Sequence, residues 1–244
     1  MADAESQLRS LGWTEQCLAF IDFLGFKNLV DEAEQNANMA RALVENLRAP
    51  YQLARHLAPH FDRPGIDDKP KIRSFSDLIV ISAETPLWVA DLANSFYSLA
   101  LYLDLPMRGA IVRGRLFHDD EVLVGDGLNR AYHLESKVAK VPRVIIENGV
   151  MEFAGTRALA DGRTQKDWIN ERVSRDVDGW LFLDPFTKPD ERTRREFPDW
   201  LSKVREYAAR SLDKAVAVDD PGLIEKYRWL SDKVAAGSWN GAEP

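Results

Sequence analysis

The sequence predicts an α+β fold with a ferredoxin-like split βαβ core, followed by a mostly helical C-terminal region. Short apolar runs alternate with amphipathic segments in the order β-α-β-β-α-β, with a further helix and strand after them. A chain of 244 residues, 45% of them hydrophobic, is long enough to fill one core. We expect a core over residues 15–150 and a partly helical extension of the same domain over residues 151–244.

Each expected element rests on a local pattern. An apolar run that ends at a polar residue and a glycine indicates a buried strand, and apolar residues at three- and four-residue steps indicate a helix. Pro50 is expected to end the first long helix, and the stretch 60–70 to form a loop. The elements expected in chain order are a strand at 17–22, a helix at 27–57, a hairpin of strands 71–75 and 78–81, a helix at 87–103, strands at 108–117 and 122–124, a helix at 125–138 and a strand at 143–146.

The pattern changes after residue 150. Residues 156–176 are strongly polar, and residues 177–186 contain a short strand-like run. Residues 190–236 are charged and have a helical pattern. The tail, residues 237–244, is expected to fray.

The composition narrows the class of function. The chain has 32 Lys and Arg against 39 Asp and Glu, a net charge of -7, which argues against a protein that coats nucleic acid. A small anionic ligand remains compatible with this balance. The single cysteine, Cys17, lies in an apolar run and is expected to be buried, so no internal disulfide framework forms. Because there is no signal-peptide core and no apolar stretch of ~18 residues, we expect a cytoplasmic protein with no membrane partner.

Two aspartates occupy informative positions. Asp22 ends the first predicted strand, and Asp77 lies at the tip of the following hairpin. Taken singly, each is better explained as a helix cap or a turn residue. In a split βαβ sheet, however, both carboxylates reach one edge, where they can hold two divalent ions that bridge nucleotide phosphates. Phe23, Leu24, Gly25 and Phe26 open a helix whose N-terminus would receive those phosphates.

Three segments together resemble the catalytic domain of class III nucleotidyl cyclases. They are AFIDFLGF at 19–26, KIRSFSDLIVIS at 71–82, and MRGAIVRGRL with VGDGLNRAYHLES between 107 and 136. The resemblance implies that Asp22 and Asp77 bind two Mn²⁺ or Mg²⁺ ions, with the backbone carbonyl of Ile21 as a further ligand.

The same resemblance assigns roles on the helix that begins near Gly125. Asn129 falls on the family's transition-state Asn, and His133 stands where the family has its transition-state Arg. A histidine is a poorer substitute for a bidentate guanidinium. Arg130, on the same helix, is the alternative cation.

The base-reading positions depart from the purine cyclases. Arg73 stands in place of the purine-reading Lys, and Val122 in place of its polar partner. These departures, with the SFSD and AYxLES motifs, resemble the bacterial pyrimidine cyclases of antiphage (Pycsar) defence. A guanidinium carries only donors, which suits the carbonyl groups of uracil better than cytosine, so UTP is favoured over CTP. Tyr132 shapes the base pocket or packs in an interface.

The resemblance implies a phosphorus–oxygen lyase that makes a cyclic pyrimidine nucleotide as an antiviral second messenger for a separate effector. The family assembles its site across a dimer, so a homodimer with two sites is expected. Arg113, Lys137 and Lys140 are possible triphosphate contacts, but solvated surface cations explain them better. Two alternatives remain open. One is a purine cyclase with an unusual pocket, and the other is a degenerate domain that binds nucleotide without turning it over.

The remaining candidate side chains have no catalytic pattern. His56, His60 and His118 lack metal-ligand spacing and are expected on the surface or in loops. Ser76 is expected to be a turn residue, because no general base is placed for it.

Overall fold

The computed structural model describes residues 2–61, 69–189 and 191–237. One mixed sheet runs in the order β2-β3-β1-β4-β6-β8-β7, with β5 paired to β4. The strands are β1 (Thr14–Phe23), β2 (Lys71–Phe75), β3 (Leu78–Ala83), β4 (Met107–His118), β5 (Leu123–Val124), β6 (Val144–Ile146), β7 (Val173–Arg175) and β8 (Leu181–Leu183). The helices are α1 (Ala2–Ser10), α2 (Phe26–Gln35), α3 (Ala37–Phe61), α4 (Pro86–Tyr102), α5 (Asp126–Lys137), α6 (Asn148–Gly155), α7 (Gln165–Asn170), α8 (Glu191–Glu196), α9 (Trp200–Ala217) and α10 (Pro221–Ala236).

Strand β1 lies at the centre of the predicted core. It pairs antiparallel with β3 on one side and with β4 on the other, and β3 pairs antiparallel with β2. The order β2-β3-β1-β4, with helices α2 to α4 in the connections, is the split βαβ arrangement. The α+β fold class and the ferredoxin-like core are therefore confirmed.

The two faces of the central sheet carry different helices. The Phe23 ring of β1 packs edge-on against Phe96 of α4, whereas the Phe20 ring packs against Tyr132 of α5. Since side chains alternate along a strand, odd-numbered residues of β1 face α4 and even-numbered ones face α5. Asp22 therefore lies on the same face as α5.

The first long helix differs from the prediction. The break comes at Asn36, not Pro50, and the chain forms two helices, α2 and α3. Asn36 has an extended backbone, and its Oδ1 accepts hydrogen bonds from the N–H groups of Asn38 and Met39. This cap starts α3, which continues past Pro50 as far as Phe61. Of the predicted loop 60–70, residues 62–68 lie outside the described residues.

The C-terminal region adds strands as well as helices. β8 pairs antiparallel with β6, and β7 with β8, so the sheet continues beyond residue 150. The predicted helical stretch after 190 forms α8, α9 and α10. Of the tail expected to fray, only Gly237 is among the described residues. Within the part of the chain that is described, no helix is long and apolar enough to cross a membrane.

A buried ion cluster ties this C-terminal region to the core. Asp176 accepts hydrogen bonds from Arg143 Nη1 at 2.5 Å, Trp229 Nε1 at 2.8 Å and Lys233 Nζ at 2.8 Å. Arg143, which precedes β6, also pairs with Asp178. The cluster joins the residue before β6 to the end of β7 and to α10.

Two smaller predictions have clear outcomes. Cys17 is buried in β1, as expected. His118 is not a surface residue: it is 4% exposed at the end of β4, and its Nδ1 lies 2.8 Å from Ser82 Oγ. Burial lowers the pKa of His118 to about 4, so the ring is neutral near pH 7.

Candidate active site

The two predicted metal ligands lie near each other in the sheet, Asp22 in β1 and Asp77 in the turn that precedes β3. Asp22 of β1 pairs with Leu78 of β3, and Asp77 immediately precedes Leu78. The N–H of Phe23 donates to the carbonyl oxygen of Asp77 at 3.1 Å. This backbone bond holds the end of β1 against the tip of the β2–β3 hairpin. It brings the two aspartates to one edge of the sheet.

The hairpin tip has an unusual backbone. Ser76 has a φ of 56°, in the left-handed region that non-glycine residues rarely adopt. The turn is short, since Phe75 pairs directly with Leu78. A positive φ at the first central residue is typical of the tight turns that join two antiparallel strands. Ser76 thus serves as the predicted turn residue, and its conformation places Asp77 beside β1.

The segment after Asp22 forms the predicted turn into a helix. Gly25 has a φ of 76° and precedes α2, and the N–H of Leu24 donates to the Pro106 carbonyl at 2.8 Å. Phe23 is buried, and its ring stacks on Phe26 at 6.4 Å between centroids. The two phenylalanines therefore anchor the turn in the core. Helix α2 therefore begins four residues after Asp22.

Arg108 and Glu135 complete the surroundings of Asp22. Nε and Nη2 of Arg108, on β4, both lie 3.1 Å from Asp22 Oδ2. Arg108 Nε also lies 2.5 Å from Glu135 Oε1, on α5. Sequence reasoning missed both residues, although they lie within the quoted motifs. One signal was available: Ala131, Leu134 and Glu135 follow helical spacing, so a carboxyl occupies a core-facing position.

Asp22 and Glu135 have perturbed pKa values. Burial raises the pKa of Asp22, while the neighbouring Arg108 opposes the rise. Burial also raises the pKa of Glu135 to about 7; Arg108 lowers it, and Asp22 and Asp77 raise it further. A carboxyl that is shielded from water and surrounded by like charges holds its proton more tightly. The cluster therefore concentrates negative charge beside a single guanidinium.

The donor set suits a hard divalent cation. Mg²⁺ is commonly held by one or two carboxylates together with substrate phosphates, so Asp22 and Asp77 meet its requirement for oxygen ligands. Among the described residues, no group of three or more His, Cys, Asp or Glu side chains is arranged as a complete metal cage. An ion at this edge would therefore need oxygen atoms from the substrate or water. Ile21, the further predicted ligand, is buried and has a hydrocarbon side chain, so its backbone carbonyl is the group proposed for that role.

Helix α5 presents two of its predicted catalytic residues to solvent. Asn129 and His133 are both exposed. Arg130 has other partners: it donates to the Arg113 carbonyl, and its Nε lies 3.0 Å from Glu147 Oε1. Arg113 is five residues along β4 from Arg108, roughly 17 Å away at the usual rise per residue. Arg130 thus joins α5 to β4 and α6 at a distance from the aspartates.

The two predicted base-reading positions come together in one place. Arg73 of β2 donates to the carbonyl oxygens of Asp119, Asp120 and Glu121, in the loop before Val122. These contacts use three of the five guanidinium hydrogens. Arg73 therefore fixes the loop that positions Val122.

The remaining predicted side chains have the following surroundings. Val122 is 46% exposed, and Tyr132 is 57% exposed, although its ring also packs against Phe20. Arg113 pairs with Glu15 at 3.3 Å, and its guanidinium stacks over the Phe153 ring at 4.2 Å. It is thus engaged within the chain. Lys137 and Lys140 are exposed.

Comparisons with known proteins give remote similarities. No protein-family profile matches the sequence, and no curated protein matches it. Among solved structures, an adenylate cyclase from Trypanosoma brucei in its monomeric state shares 13% identity over 73% of this chain and 90% of that chain, with a TM-score of 0.46. The monomeric guanylyl cyclase domain of the RhoGC fusion protein from the aquatic fungus Blastocladiella emersonii shares 14% identity over 70% and 95%, with a TM-score of 0.42. A class III adenylyl cyclase-like ATP-binding protein from Pseudomonas aeruginosa shares 11% identity over 83% and 44%, with a TM-score of 0.39.

Proposed function

We propose that this protein is a nucleotidyl cyclase that converts a nucleoside triphosphate to its 3′,5′-cyclic monophosphate and diphosphate. The observation that carries the proposal is the position of Asp22, near the end of β1 and before the turn into α2, beside Asp77 at the tip of the β2–β3 hairpin. Two carboxylates and a helix N-terminus in this arrangement suit a metal-bound triphosphate.

Each part of the site has a proposed task. Asp22 and Asp77 would hold two divalent ions, Mn²⁺ or Mg²⁺, with the Ile21 carbonyl as a further ligand. When bound, such ions lower the pKa of the attacking 3′-hydroxyl and neutralise phosphate charge. The turn around Gly25 and the first N–H groups of α2 orient the phosphate chain.

The exposed residues of α5 favour a site completed by a second copy. Asn129 and His133 face solvent, next to the exposed apolar side chain of Tyr132. In the proposed symmetric homodimer, each of the two sites combines the aspartates of one chain with Asn129 and His133 of the other. Asn129 would orient the ribose, and His133 would donate a hydrogen bond to the transition state.

We further propose a pyrimidine substrate, with UTP preferred to CTP. Arg73 keeps donors available after it binds the loop at Asp119, and donors suit the carbonyls of uracil. Val122 offers no polar group that would read a purine. A cyclic pyrimidine nucleotide would act as a second messenger in antiphage defence, through an effector that is a separate protein.

A second candidate function is nucleotide binding without turnover. The observation that favours it is the lack of an arginine at position 133, together with the engagement of Arg130 by Glu147 and Arg113. On this reading, Asp22 and Asp77 would hold a metal–nucleotide complex that undergoes no reaction.

A product assay separates these functions. The purified full chain is incubated with ATP, GTP, CTP or UTP and Mn²⁺ or Mg²⁺, and the products are resolved by chromatography. We expect cyclic UMP as the main product, with at least a hundredfold loss in Asp22→Asn and Asp77→Asn, because each variant removes a carboxylate ligand. Asp213→Asn, at an exposed position of α9, is the matched control and should retain activity.

Each alternative result has a defined meaning. Cyclic AMP or cyclic GMP as the main product would refute the pyrimidine assignment and leave the cyclase assignment intact. If no triphosphate is converted but nucleotide binds in a manner that requires Asp22, the non-catalytic function is favoured. Turnover that survives in both Asp22→Asn and Asp77→Asn would refute the proposed site.

A further inference from the structure

Arg108 is shared between two carboxyl groups. Its Nε lies 3.1 Å from Asp22 Oδ2 and 2.5 Å from Glu135 Oε1. The single Nε hydrogen is aimed at Asp22, with which it forms a hydrogen bond, whereas Glu135 is held as an ion pair. The guanidinium therefore bridges β1 and α5.

The burial of these groups makes the pairing strong. The side chain of Glu135 is 3% exposed, that of Asp22 is 16% exposed and that of Arg108 is 24% exposed. A buried carboxylate without a cation is costly, so Glu135 needs Arg108 or a proton. Within the described part of the chain, Arg108 is the cation that contacts both carboxyl groups.

We propose that Arg108 is an exchangeable counter-ion for the metal site. In the absence of metal it neutralises Asp22, and when a divalent ion binds Asp22 it transfers fully to Glu135. Glu135 is then a positioning residue, which acts on the metal site through Arg108. This inference rests on the proposed function, because it takes Asp22 to be a metal ligand.

The geometry makes such an exchange easy. Arg108 Nε already lies within contact distance of both acceptors, so a small rotation of the guanidinium replaces one partner with the other. A divalent ion on Asp22 and the guanidinium repel each other, which drives the rotation. Without an acceptor such as Glu135, the displaced guanidinium would lose its partner at a half-buried position. Metal binding would then be weakened by the free energy needed to leave the Arg108 guanidinium without a partner.

Direct measurement of Mn²⁺ binding tests this exchange. Free Mn²⁺ is followed by electron paramagnetic resonance, and heats are measured by titration calorimetry, both with the full chain and no nucleotide. We expect Glu135→Gln to bind Mn²⁺ about tenfold more weakly than the natural chain, because the acceptor loses its charge. The double variant Arg108→Gln/Glu135→Gln removes both charges and the competition, so it should bind Mn²⁺ several-fold more tightly than the natural chain.

The double variant separates exchange from simple charge attraction. The comparison is made in buffer well above pH 7, where Glu135 is ionised. The natural Arg108–Glu135 pair and the double variant then have the same net charge, so attraction alone predicts equal affinity. Equal or weaker binding by the double variant would overturn the proposal, and this comparison holds even if Glu135→Gln alone fails to fold. Asp22→Asn checks the premise. If that variant binds Mn²⁺ as the natural chain does, the proposed metal site itself fails.

Discussion

Gly114 allows α5 to lie directly on β4, and its replacement tests how closely the two pack. A Cβ at residue 114 would lie 2.8 Å from Gly127 Cα and 3.1 Å from Gly127 N, both backbone atoms of α5. The shorter distance is roughly 0.7 Å below the optimum for two carbon atoms. Since backbone atoms cannot rotate away, Gly114→Ala must displace α5. Overpacking of this kind costs about 1–3 kcal/mol.

Urea unfolding, followed by circular dichroism, measures this cost. With a slope of about 2 kcal/mol per M, the midpoint of Gly114→Ala should fall by roughly 0.5–1.5 M. Gly149→Ala is the matched control. Its Cβ would have Glu147 Oε2, at 3.7 Å, as its nearest neighbour, and alanine favours a helix, so stability should hold or rise. A Gly114→Ala midpoint equal to that of the natural chain would refute the close approach of α5 to β4.

Two further predictions concern stability. Burial raises the pKa of Asp176, but hydrogen bonds from Lys233 and Trp229 outweigh this and hold the pKa at about 2, below the 3.8 of the unfolded chain. The stability that Asp176 contributes is therefore complete above about pH 4 and is lost as the pH falls towards 2. In urea unfolding, the difference in stability between the natural chain and Asp176→Asn should narrow between pH 5 and pH 2.5. A difference that stays constant over this range would contradict the prediction. At the hairpin tip, Ser76→Val should be about 1 kcal/mol less stable than Ser76→Gly, because a branched residue is strained at a φ of 56°. Equal melting of the two variants would count against that backbone conformation.

The core of the fold was predictable because its elements have strong local patterns. The apolar run around Cys17, the alternation on either side of Ser76 and the helical spacing within α4 are each a local signal for the element that forms. The expectation that α4 is amphipathic was wrong, because the helix is buried on nearly all sides. The break at Asn36 was missed because its side-chain cap depends on the geometry of the turn, while Pro50 carries the more familiar signal. Local rules rank the residues that can interrupt a helix by residue type alone. Tertiary packing decides at which of them the helix is in fact interrupted.

The short strands after residue 150 were largely hidden for a different reason. β7 has only three residues, in a polar stretch, and its partner β8 also has three. Such segments are strands because they pair with a sheet that already exists. A single sequence carries little trace of long-range pairing, so only the run at 177–186 gave a signal. The ion cluster of Arg143 and Asp176 was equally invisible, since 33 residues separate its partners.

The candidate site likewise has one part that local patterns predict and another part that depends on tertiary packing. The convergence of Asp22 and Asp77 follows from the strand order, which the pattern of elements predicts. The contact of Arg108 with Glu135 depends instead on the position of α5 against β4, which close packing at Gly114 and Gly127 determines. Motif comparison directs attention to residues with assigned roles. It therefore overlooks neighbours that act through them.

The charge of the site gives an independent reason to expect a cation with the substrate. Asp22, Asp77 and Glu135 contribute three carboxyl groups, and Arg108 is the guanidinium that contacts two of them. A triphosphate brought to this edge alone would meet net negative charge and be repelled. Exposed cations such as Lys137 are screened by solvent and compensate poorly. If this edge binds a nucleotide, as proposed, a metal ion bound with the substrate would offset this negative charge. The proposed activity is in this way tied to the proposed exchange of Arg108.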